Sequence, residues 1–208
     1  MPLIDKLATS LNRRDEVPNK QLAQTIAVTN DADAVKELVS LLHHKDRNIQ
    51  SDAIKVLDET GALKPELVVP YTSELVKLLQ SKNNRMVWGA MAALSALAPA
   101  APAILYNNLN AILDAAAKGS VITKDHTVKI LVILAETPAY TDDCIVLLLD
   151  QLKDAPVNQL PTYAESTATI VTANYKPEMA RILTQRLPEV EHEAKRRRLT
   201  NVLQKLQK

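Results

Sequence analysis

LVVPYTSELVKLLQSKNNRMVWGAMAALSALA, residues 67–98, holds two apolar-periodic runs separated by a short polar break. In the first, Leu75, Leu78 and Leu79 follow Tyr71 at spacings that draw one stripe along a helix. The break Ser81-Lys82-Asn83-Asn84 stops that helix and offers Asn84 as an N-cap for a second one. Met86, Ala90 and Leu94 then recur at helical spacing. The stretch predicts a pair of antiparallel helices joined by a tight turn.

The same pattern recurs along the chain. Tyr71, Tyr106, Tyr140 and Tyr175 are 35, 34 and 35 residues apart, a period typical of helical-repeat proteins. Cys144, Leu147 and Leu148 stand at the same offsets from Tyr140, as do Met179, Ile182 and Leu183 from Tyr175. The Tyr106 copy, with Leu109, Ile112 and Leu113, is one residue out of step, and an earlier copy begins near Asp31 with Val35, Leu38, Val39 and Leu42. Polar breaks introduce the second helices. Lys45-Asp46-Arg47-Asn48 precedes Ile49, Ala53 and Leu57, with Asp46 as N-cap; Lys124-Asp125 precedes Ile130 and Leu134. Leu160-Pro161-Thr162 opens a helix running to Ala173, and a last one starts near Glu189. Residues 1–30 read as a capping pair carrying Leu3, Leu7 and Leu11, then Leu22 and Ile26. Prolines 65, 99, 102, 138, 156, 161 and 177 mark junctions, where a helix breaker belongs. The expected units are 1–30, 31–64, 65–102, 103–138, 139–174 and 175–208, stacked as one domain.

Composition agrees with an all-α fold. The 208 residues include three glycines, no phenylalanine and 47% hydrophobic residues, which suits helices rather than strands. The longest apolar stretch, Met86 to Leu105, is interrupted by Gly89, Ser95, Pro99 and Pro102, so no transmembrane helix is expected. The first residues lack an apolar core followed by a small-residue cleavage site, which points to the cytoplasm. A lone Cys144 within an apolar run reads as a small buried hydrophobe. Formal net charge is +1, giving no global attraction to nucleic acid or anionic membranes. Charge is uneven locally. Residues 139–173 carry Lys153 against five acids, a net of −4, and residues 174–208 carry a net of +5.

Residues 67–98 resemble one HEAT repeat, and the paired-helix pattern covers most of the chain. The arginine that commonly follows the first apolar residue of the second helix is Gln50 in one copy and falls near Trp88 in the next. The resemblance implies a HEAT/armadillo-like α-solenoid: a right-handed superhelix of about five to six stacked helical pairs, with the second helices lining a concave face. It also implies a scaffold rather than an enzyme. A HEAT-type di-iron hydroxylase needs several His-Glu dipeptides, and His192-Glu193 is the one present. A HEAT-like alkylpurine DNA glycosylase needs a basic, aromatic-lined concavity, at odds with a near-neutral chain holding one Trp and five Tyr.

Candidate site residues follow from the second helices. With Met86, Ala90, Leu94 and Leu97 turned to the core, Trp88, Met91, Ala92 and Ser95 point elsewhere. A tryptophan beside a methionine is a good anchor for a protein partner. The other reading of Trp88 places it between adjacent pairs, with Gly89 admitting a close helix contact. Lys129 and Glu136, on a helix with Val128, Val132 and Ile133, extend the candidate protein-binding ridge, and Trp88 is expected close to Lys129. Lys195-Arg196-Arg197-Arg198 could contact an anionic partner. Glu191 and Glu193, four residues ahead of Lys195 and Arg197, would instead make it a solvated, ion-paired face. His43, His44 and Asp46 read as cap chemistry, since adjacent histidines diverge on a helix and do not share a metal. The expected function is a non-enzymatic scaffold binding a protein along its concave face, with no cofactor or metal. The alternative is a nucleic-acid-binding repeat module using the C-terminal basic run.

Overall fold

The computed structural model describes residues 2–207. They form α1 (Val17–Thr29), α2 (Ala32–Leu41), α3 (Arg47–Leu63), α4 (Pro65–Val68), α5 (Thr72–Leu78), α6 (Asn84–Leu97), α7 (Pro102–Asn107), α8 (Leu109–Lys118), α9 (Val121–Ala135), α10 (Thr141–Lys153), α11 (Leu160–Ala168), α12 (Lys176–Arg186) and α13 (Glu193–Leu206), with no strand among the described residues. Two compact units emerge, one ending at Thr123 and one beginning at Lys124.

In the first unit α2 packs on α3 and α5 on α6, as antiparallel pairs, while α1, α3 and α6 pack side by side as a second layer. Caps fix where the helices begin. Asp31 Oδ1 accepts from Ala34 N–H and Asp46 Oδ1 from Asn48 N–H. Asn83, one residue earlier than expected, caps α6 by accepting from Arg85 N–H. The α3–α6 contact is close because glycine permits it. A Cβ on Gly89 would lie 2.6 and 2.7 Å from the two γ-carbons of Ile54, and one on Gly61 would lie 3.3 Å from Leu97. Position 54 therefore faces 89 and 61 faces 97, so α3 and α6 run parallel at an offset of one repeat. Parallel α1 and α3 are joined by buried Asn19, whose Nδ2 donates to Asp52 Oδ1 and whose Oδ1 accepts from Ala8 N–H, while Thr9 N–H donates to Asp52 Oδ2. These bonds dock the first residues. The capping pair is reduced on its first side to a single 3₁₀ turn, Leu3–Lys6, and Leu11 lies 47% exposed rather than on the core stripe.

The tyrosine period is visible in the helix starts. Tyr71 immediately precedes α5, Tyr140 precedes α10 and Tyr175 precedes α12. Tyr106 lies instead inside α7, because the chain breaks at Asn108 and restarts as α8. That break is the physical source of the out-of-step copy.

In the second unit α10 packs on α11 and α12 on α13, with α11 against α13 and α10 against α12. Arg186, at the end of α12, holds the end of α10. Its Nη1 donates to the carbonyls of Leu152, Lys153 and Ala155 at 3.0, 2.9 and 2.8 Å, and its Nε and Nη2 grip Glu189. The terminal carbonyls of α10 thus gain donors they lack within their own helix.

Gly89→Ala should destabilise the protein although alanine is favoured over glycine by about 1 kcal/mol within a helix. The β-branched Ile54 side chain cannot swing away from the new methyl, and overpacking of this kind costs about 1–3 kcal/mol. Denaturant unfolding should show Ile54→Ala cancelling part of that loss, as a non-additive pair. A neutral Gly89→Ala would mean that α3 and α6 separate freely. Arg186→Ala should cost about 2 kcal/mol by the same measurement, and Arg186→Lys should recover little because an ammonium cannot span three carbonyls and a carboxylate.

Candidate protein-binding surface

Within the second unit a cleft of about 500 Å³ runs between α9 and α11. Asp125, Val128, Lys129, Val132 and Ile133 line it from α9. Thr162, Tyr163 and Ser166 line it from α11, with Gln159 just ahead. Helical spacing explains the α9 wall, since positions 125, 128, 129, 132 and 133 fall on one face. Val132 and Ile133 are half-buried apolar walls, Lys129 is exposed, and the α11 side offers short polar groups. At the base Tyr163 is 3% exposed and its hydroxyl donates to Asp125 Oδ1 at 2.6 Å. Burial, then that bond to a carboxylate, pushes the phenol far above its ordinary pKa, so it remains a donor and holds the two helices together. The arrangement can accommodate apolar side chains and hydrogen-bond an extended backbone.

The predicted site residues separate into three groups. Lys129 lies in the cleft, and Glu136 is exposed just beyond the end of α9. Trp88, Met91 and Ser95 belong to the first unit. There Trp88 is half-buried, but Met91 is 0% and Ser95 1% exposed, so neither can meet a partner. The outward expectation for these two fails because α6 is buried on more than one side. Met86, Val87, Ala90, Met91, Ala93, Leu94, Ser95 and Leu97 all face protein, leaving a strip through Arg85, Trp88, Ala92 and Ala96.

The basic run on α13 is largely engaged. Arg198 binds Glu165 of α11 through Nε at 2.9 Å and Nη2 at 2.6 Å, and Nη2 also donates to Thr162 Oγ1. Lys195 Nζ donates to Asn158 Oδ1 and Arg196 Nε to the Val190 carbonyl. Arg197 is exposed. The bonded Arg198 guanidinium holds the Glu165 carboxyl below its usual range. Neither pair expected with Glu191 and Glu193 forms: Lys195 turns to Asn158 and Arg197 stays exposed, while Arg198 to Glu165 joins the basic segment to the acidic one.

Among the described residues no group of three His, Cys, Asp or Glu could hold a metal ion. His44 Nδ1 accepts from Asp46 N–H, which is turn chemistry next to a cap. Cys144 is buried, and desolvation followed by the nearby Asp143 charge pushes its thiol up to about 11, away from the reactive thiolate. No helix of the described residues is long and apolar enough to cross a membrane.

No protein-family model matches the chain, and no curated protein does. Solved structures do. An engineered protein from the Northeast Structural Genomics Consortium is similar at 18% identity with a TM-score of 0.62, over 100% of this chain and 97% of its own. A second engineered protein from the same consortium shows 17% identity and a TM-score of 0.62, over 99% of both chains. A designed armadillo repeat protein shows 15% identity and a TM-score of 0.58, over 99% of this chain and 100% of its own. The chain has an armadillo/HEAT-like α-solenoid fold.

Proposed function

We propose that this protein is a non-enzymatic, cytoplasmic repeat scaffold that binds an extended segment of a protein partner along the ridge of its second helices. The cleft between α9 and α11 carries this reading. It combines half-buried Val132 and Ile133, a cation at Lys129 and the polar side chains Gln159, Thr162 and Ser166. An extended segment presents side chains alternately and leaves backbone groups to be hydrogen-bonded, which matches apolar walls facing Gln159 and Ser166, with Thr162 already held by Arg198. Within the first unit, Trp88, half-buried on the strip of α6, is an anchor of the same kind. The nucleic-acid alternative has less support, because Lys195, Arg196 and Arg198 are bound to protein groups.

A photo-crosslinking residue placed at Lys129 should capture a polypeptide from a lysate of the source cell, and the same residue at Thr184, on the exposed face of α12, should not. Ile133→Ser should abolish the capture while leaving the thermal midpoint within a few degrees of the parent. The yield should hold between low and high salt, as for an apolar contact, whereas a nuclease-sensitive or steeply salt-sensitive adduct would support nucleic acid instead. Equal capture at both positions would remove the ridge as the site.

A further inference from the structure

We infer that the first unit carries a second, independent interaction surface: a basic edge that takes an acidic segment of a protein. Because α1, α3 and α6 run parallel, the turns leading into them, residues 12–16, 42–46 and 79–83, follow one another along one edge. Those turns and the first residues of the helices carry Arg13, Arg14, Lys45, Arg47, Lys82 and Arg85, all exposed. The three acids among them are already engaged. Asp15 pairs with Arg13 at 2.8 Å, and that guanidinium holds its carboxyl below the usual range. Glu16 pairs with Lys20 and Lys55 at 3.8 and 3.7 Å. Asp46 spends its carboxylate capping α3. Arg14, Lys45, Arg47, Lys82 and Arg85 form no ion pair among the described residues. Paired acids with solvated cations leave an edge of positive potential.

Charge and spacing choose the partner. Packed helices lie about 8–10 Å apart, close to the ~10 Å spanned by three residues of extended chain, so carboxylates at every third position meet successive turns. An arginine in or just after each turn (Arg14, Arg47, Arg85) suits bidentate contact with carboxylates. These turns carry no Phe, Tyr or Trp to stack a base; their rings are His43 and His44, and His44 is held by the Asp46 N–H, which disfavours single-stranded nucleic acid. Residues 1–123 contain thirteen bases and thirteen acids. A long polyanion would therefore run from this edge onto neighbouring negative surface, whereas a short acidic segment ends with the patch. The surface is separate from the cleft of the second unit and stands whether or not that cleft binds anything.

The test is fluorescence anisotropy of the whole protein with a labelled twelve-residue peptide, Glu at every third position among Gly and Ser. A 20-base-pair DNA duplex and phosphatidylserine vesicles are the competing probes. The peptide should bind saturably at low salt, more tightly than either competitor. Arg47→Glu/Lys82→Glu/Arg85→Glu should weaken it about tenfold or more, with an unchanged thermal midpoint, as expected for charge reversal at exposed positions. Lys176→Glu/Lys205→Glu, made in the second unit, should change affinity less than about twofold. Tighter binding of duplex or vesicles, equal losses in the two variants, or no saturable peptide binding would each overturn the inference.

Discussion

The close approach of α3 and α6 at Gly89 sets the register on which the first unit depends. Ile54 occupies the space a side chain at position 89 would need, so these helices can meet at this depth only with glycine there. The contact joins residues one repeat apart, and Gly61 against Leu97 repeats that offset one helical stretch later. Once both contacts are in place the rest of the interface follows from helical geometry. Val56, Leu57, Met91 and Leu94 are then carried into a shared core with no exposure. A helical pair alone could not bury these stripes, because each needs the flank of a neighbour to close it.

Polar bridges between successive second helices act on the same register with a different energetic character. Asn19–Asp52 ties α1 to α3, Asp125–Tyr163 ties α9 to α11, and Glu165–Arg198 ties α11 to α13. The last is half-exposed and adds little net stability in water. Buried Asn19 and Tyr163 differ, since each would leave an unsatisfied group in the core if the helices slipped. The bridges therefore penalise wrong registers more than they deepen the right one. One of them also takes Arg198 out of the run of four bases on α13 as a free cation.

Much of the architecture is legible in the sequence because it depends on periodicity, which composition and spacing display directly. Three of the four spaced tyrosines stand at helix starts, and Asp46 caps the helix it was expected to cap. What periodicity cannot display is how many sides of a helix are covered. Met91 and Ser95 lie off the main stripe of α6, yet neighbours on a second flank bury them. Long side chains are equally opaque, because their partners lie in the adjacent repeat. Nothing local tells that Arg186 reaches the end of α10, that Arg198 turns to Glu165, or that Lys195 turns to Asn158 and not to Glu191. The cleft was half visible. Lys129 and its apolar neighbours could be read from α9, but the opposing Gln159, Thr162 and Ser166 needed the fold to bring them across.

Why a cleft opens between α9 and α11 follows from what the two ridges carry. On the α1–α3 ridge long charged side chains cross from helix to helix: Lys55 meets Glu16, Asp58 and Glu59, and Lys20 meets both Glu16 and Glu59. Those chains are themselves partnered, so a ligand crossing this ridge would have to displace them. α11 is nine residues long against seventeen for α3, and its side chains along the cleft are Thr162 and Ser166, too short to span the gap. The bridge that does form, Tyr163 to Asp125, starts about two helical turns along α9 from Val132 and Ile133 and leaves those walls half-exposed. The α9–α11 cleft is thus a place where apolar walls lie without long charged side chains crossing from helix to helix.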